Sequence, residues 1–96
     1  MADKIDELID DVDERQKFVD EIIETHFSGK TEFNDADVQK FIKQSNKKFN
    51  LDPSIITFAD VIEKKGDDGL KDGVLSYDNL LDVTKYLLIA TKEKID

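Results

Sequence analysis

Cysteine is absent from this chain, which excludes disulfides, thiolate metal sites and a cysteine nucleophile. Histidine occurs once, at His26, and one imidazole among scattered carboxylates makes neither a zinc site nor a catalytic dyad. Proline also occurs once, and only four glycines punctuate the chain. No apolar run approaches a membrane span. The opening MADKIDELID has neither a basic start nor a continuous apolar segment, so it does not read as a secretory signal. Ser28 and Ser76 have no nearby base, and there is no glycine-rich phosphate loop. The expectation is a cytoplasmic protein without enzyme activity.

Acidity is what the chain has in abundance: 23 Asp and Glu stand against 14 Lys and Arg, for a formal charge of −9. Such a surface repels nucleic acid and anionic lipid and favours cations or basic partners. Six Phe, with many Ile, Leu and Val, argue against disorder despite the charge. The 96 residues suit one domain with a modest core.

Apolar residues recur at helical spacing through residues 3–27, as Ile5, Leu8, Ile9, Val12, Val19, Ile22, Ile23 and Phe27. The polar stretch Asp11–Gln16 divides this run, giving an N-terminal extension (1–12) and a first core helix capped by Asp13. The stripe Ile5, Leu8, Ile9 and Val12 then extends the first helix, docks across the domain's own groove or joins a partner. After a break at Ser28–Thr31, Asn34 caps a second helix that carries Val38, Phe41 and Ile42 and ends near Asn50. Asp52 and Pro53 read as the cap and first residue of a third helix, with Ile55, Phe58, Val61 and Ile62 facing inward. Gly66 stops it. Ser76 caps a fourth core helix running to about Lys92. The expected class is all-α, with no strand longer than two or three residues.

The two halves repeat. Setting FNDADVQKFI (Phe33–Ile42) beneath LSYDNLLDVT (Leu75–Thr84) aligns Phe33 with Leu75 and the caps Asn34 and Ser76. Asp37 then aligns with Asn79, and Val38 with Leu80. Each half has an amphipathic helix and a glycine-containing turn upstream, so the chain contains two helix–loop–helix units, 13–50 and 52–92.

This pattern resembles the EF-hand superfamily, in particular a single calmodulin-like lobe, over about Asp13 to Leu88. The resemblance implies that Phe33 and Leu75, each at the eighth loop position, pair in a short antiparallel ladder. It places calcium ligands in the second loop at Asp68, Asp72, the Val74 carbonyl, Ser76 and Asn79. Leu70 stands where a side-chain oxygen is usual, and Asn79 where a bidentate Glu is usual, so the expectation is one weakly held calcium ion or none. The plainer reading of Asp67, Asp68 and Asp72 is a solvated acidic turn with glycines at positive φ. In the first loop Lys30 brings a positive charge to a ligand position, and no metal is expected there.

Within this family the lobe most resembles the light chains of unconventional myosins, which grip a basic helical IQ segment of the heavy-chain neck without needing calcium. No cofactor is then required, and nucleic acid and membrane are not expected partners. The corresponding groove residues are Phe18, Ile22, Phe41, Ile42, Phe58, Val83 and Leu87, each of which also reads as core. The alternative is a calbindin-like calcium sensor or buffer that uses the second loop alone.

Overall fold

A computed structural model describes residues 2–96, so residue 1 of the expected N-terminal extension lies outside the described residues. The elements run α1 (Ala2–Asp10), α2 (Val12–His26), β1 (Glu32–Asn34), α3 (Asp35–Lys48), α4 (Phe58–Lys65), β2 (Val74–Ser76) and α5 (Tyr77–Ile95). The chain is mostly helical, with one two-stranded sheet among the described residues. No helix among them is long and apolar enough to cross a membrane.

Local chemistry explains most helix starts. The side chains of Asn34 and Asp37 form a reciprocal capping box at the start of α3. The Ser76 hydroxyl accepts from the Asn79 N–H at 3.2 Å and starts α5. Gly66 ends α4 in the left-handed region, at φ 99°, where a side chain would be strained.

Three boundaries differ from the sequence expectation. The first helical run does split in two, but the cap is Asp11 rather than Asp13: its Oδ1 accepts from the N–H groups of Asp13 (2.9 Å) and Glu14 (3.3 Å). The third core helix begins at Phe58, not at Pro53, because Thr57 and Asp60 form a second capping box. Residues 52–56 turn instead, with Asp52 Oδ1 accepting from the Ser54 N–H. The buried Asn46 side chain holds that turn, donating from Nδ2 to the carbonyls of Pro53 (2.8 Å) and Ile56 (3.2 Å). Those carbonyls would otherwise take the N–H groups of Thr57 and Asp60 in a continuous helix. The last helix runs on to Ile95, past Lys92.

The core gathers around α5, whose Leu80, Val83, Leu87 and Leu88 are buried against residues from the other helices and the ladder. Thr84 and Thr91 lie in the same buried face. Their hydroxyls bond the carbonyls of Leu80 and Leu87 one turn back, which removes the penalty of an unpaired buried O–H. The N-terminal stripe also finds its place here: Ile5 and Leu8 are fully buried, and α1 packs on α5 and α2.

Candidate functional site

The two helix–loop–helix units meet at the ladder. β1 and β2 pair antiparallel, with Phe33 opposite Leu75, Glu32 opposite Ser76 and Asn34 opposite Val74. Phe33 and Leu75 are both fully buried, and Phe27 packs edge-on against Phe33 at 5.7 Å between ring centroids. The ladder brings the two loops side by side, and each loop is closed by its own residues.

In the first loop, Lys30 Nζ lies 2.7 Å from Asp37 Oδ2. The same carboxylate oxygen accepts from the Asn34 N–H at 3.1 Å. The lysine ammonium, together with that N–H, holds the Asp37 carboxyl below the usual carboxylate range against a smaller opposing effect of burial. A side-chain cation thus meets the carboxylate across the loop. His26, at the end of α2, is exposed.

The second loop is a chain of tight turns. Asp68 Oδ1 accepts from the Leu70 N–H at 3.0 Å. Lys71 and Val74 exchange both backbone hydrogen bonds, at 2.9 and 3.1 Å, around Asp72 (φ 55°) and Gly73 (φ 81°). Positive φ at both central residues is the type I′ hairpin turn, and Asp-Gly is one of its preferred sequences. Leu70 packs against the core, which accounts for an apolar residue between acidic neighbours. Asp67 pairs with Lys65 at 2.8 Å, and that contact lowers the pKa of the exposed carboxyl.

Of the five residues expected as ligands, Asp68 and Asp72 present carboxylates, Val74 engages its carbonyl in the turn, and Ser76 and Asn79 begin α5. Among the described residues no group of three or more His, Cys, Asp or Glu side chains converges as a metal cluster would. Calcium takes about six to eight oxygens. Of the five expected positions, Asp68 and Asp72 are the two that carry carboxylates.

The seven expected groove residues do not share one open surface. Phe18, Ile22, Phe41, Ile42, Val83 and Leu87 are buried in the core, and only Phe58 is half-buried. The six buried ones belong to one core cluster, and α1 packs on α2 and α5. One open cleft, of about 290 Å³, lies between α3 and the start of α4. Its apolar wall includes Ile42, Ile56 and Phe58, with Gln39 and Lys43 at its edge. A shallower hollow of about 150 Å³ lies on the other side of Ile56, between α4 and α5, where the carboxylates of Asp60, Glu63 and Glu93 alternate with Lys64 and Lys94, and Lys64 pairs with Glu93 at 2.8 Å.

Sequence reasoning reached Ile42 and Phe58 but missed Ile56 and Asn46. The Thr57-Phe-Ala-Asp60 pattern was the available signal, since a threonine followed three residues later by an acidic side chain marks a helix start. The Tyr77 hydroxyl donates to Asp20 at 2.5 Å and ties α5 to α2. Burial first, and then this bond, pushes the phenol pKa up.

Compared with family models, curated proteins and solved structures, the chain matches none.

Proposed function

We propose that this chain is a small acidic EF-hand-like lobe acting as a non-enzymatic binding subunit. Its partner is a basic amphipathic helix of the kind found in a myosin heavy-chain neck. Calcium binding is weak or lost, no cofactor is required, and the setting is cytoplasmic. The observation that carries the reading is the open cleft at Ile42, Ile56 and Phe58, on a chain whose formal charge is −9. An apolar anchor of the partner enters the cleft, and the chain's net negative charge favours basic residues around that anchor. The paired helix–loop–helix frame, with loops closed by Lys30 and by the Asp72–Gly73 turn, supports a binding role that does not depend on a cation.

Isothermal titration of the full chain with IQ-type and other basic amphipathic peptides tests this reading, with and without calcium. Binding that is indifferent to calcium and weakened about tenfold or more by Phe58→Asp is the expected result, since it places an unpaired charge in an apolar cleft. No binding to any such peptide would reject it.

A further inference from the structure

The joint between α1 and α2 is a single residue, Asp11, and it is bent by side chains alone. The apolar pattern runs through it without a shift of phase. Ile5, Val12 and Val19 are seven residues apart, Leu8 and Ile22 lie one heptad either side of Arg15, and Ile9 and Ile23 one heptad either side of Gln16. Neither glycine nor proline interrupts the junction. The backbone hydrogen bonds of a continuous helix survive on both sides of the break: the Asp11 N–H donates to the Glu7 carbonyl at 2.9 Å, and the Arg15 N–H to the Asp11 carbonyl at 3.0 Å.

A continuous helix needs three more bonds, from the N–H groups of Val12, Asp13 and Glu14 to the carbonyls of Leu8, Ile9 and Asp10. Side chains take those positions. Asp11 Oδ1 accepts from the N–H groups of Asp13 and Glu14, and Arg15 Nη1 donates to the carbonyls of Leu8 (3.1 Å) and Ile9 (2.8 Å). Straightening therefore exchanges four side-chain bonds for three backbone bonds. Val12, at the joint, is the one large aliphatic left in solvent among the described residues, at 51%. What straightening breaks is the seat of α1, where Ile5 and Leu8 are fully buried against α5 and α2 and Asp6 pairs with Lys92 at 2.5 Å. A short joint with a vacant continuous-helix alternative is the condition under which a terminal element exchanges between copies.

We propose that α1 of one copy docks in the α2–α5 seat of a second copy, with residues 2–26 of each chain forming one straight helix. The seat is selective for this occupant. It takes two aliphatic side chains one turn apart and a carboxylate facing Lys92, which α1 supplies as Ile5, Leu8 and Asp6. The inference stands independently of the partner-helix reading above.

The test uses the full chain. The double substitution Asp11→Ala with Arg15→Ala removes the side chains that hold the bend, and loss of such caps shifts the bent-to-straight ratio by about tenfold or more. Because two joints straighten in each dimer, sedimentation equilibrium from micromolar to millimolar protein should then show a dimer with a dissociation constant lowered by about a hundredfold or more relative to the parent chain. Because the chain has no cysteine, spin labels at Asp3→Cys and Glu24→Cys report the joint cleanly. A straight helix sets those positions about 31 Å apart, and the bent joint brings them closer. The single variant Asp11→Ala is read in the same way should the double variant unfold. Inserting two glycines after Asp11 in either background should restore the monomer. A chain that stays monomeric at millimolar concentration, at either label distance, overturns the proposal, as does a dimer that survives the glycine insertion.

Discussion

Phe33 and Leu75 stand opposite each other in the antiparallel ladder, both without solvent exposure, and they join the two halves of the chain at its centre. Truncating Phe33 leaves a cavity that close-packed neighbours fill only in part, and such changes cost about 3–5 kcal/mol. For a domain with a total stability of about 5–15 kcal/mol, Phe33→Ala leaves little margin. Urea unfolding of Phe33→Ala, Leu75→Ala and the double variant should show a coupling of about 0.5–3 kcal/mol. Strict additivity would mean that the two side chains do not support each other.

Asn46 has a different kind of influence. Its amide holds the carbonyls of Pro53 and Ile56 and thereby delays the start of α4. Asn46→Ala deletes both bonds in a buried position and is expected to lower stability by about 1–3 kcal/mol. Amide exchange should quicken in residues 51–57 before the rest of the chain. Uniform quickening would show that the loop has no separate stability.

The Asp37 carboxyl supplies a pH dependence whose sign is set by its lowered pKa. The folded state binds the proton more weakly than the unfolded chain, so the contribution is complete above the ordinary carboxylate range. It is lost as the pH falls below about 4 and through the folded value. Lys30→Met should raise the Asp37 pKa, read by carboxyl NMR titration, and soften that acid loss. The stability change at neutral pH should stay under about 1 kcal/mol, because the lysine is 47% exposed. Asp37→Ala should cost about 1 kcal/mol, as the loss of one half of a capping box does.

Two glycines of the second loop separate backbone strain from crowding. Gly73 has φ +81°, and a Cβ there would meet nothing within 4 Å. Gly69 has φ +70°, and a Cβ there would lie 3.1 Å from Leu75 Cδ2 and 3.6 Å from Val83 Cγ2. Gly73→Ala should therefore cost about 1 kcal/mol from the left-handed backbone alone, and Gly69→Ala measurably more. Thermal unfolding compares them directly. Equal losses would mean that Leu75 and Val83 move aside without penalty.

Residues whose role is local were legible in the chain. Asn34, Ser76 and Gly66 end or begin helices through bonds and backbone angles reaching no more than a few residues, so their identity carried the information. The internal repeat aligned Phe33 with Leu75, the family resemblance implied that they pair, and they stand opposite each other in the antiparallel ladder. The helix–loop–helix order and the short strands were legible in the same way.

Tertiary structure decided the rest. Asp52–Pro53 looked like a helix start, yet Asn46, from a neighbouring helix, captures carbonyls that the start would need. The stripe Ile5–Val12 had three possible homes on pattern alone. In the folded chain Ile5 and Leu8 are buried and α1 packs on α5 and α2. A sequence states which faces are apolar and where a helix can begin. Which apolar faces meet, and which polar atom wins a contested carbonyl, depends on distances that exist only once the chain has folded.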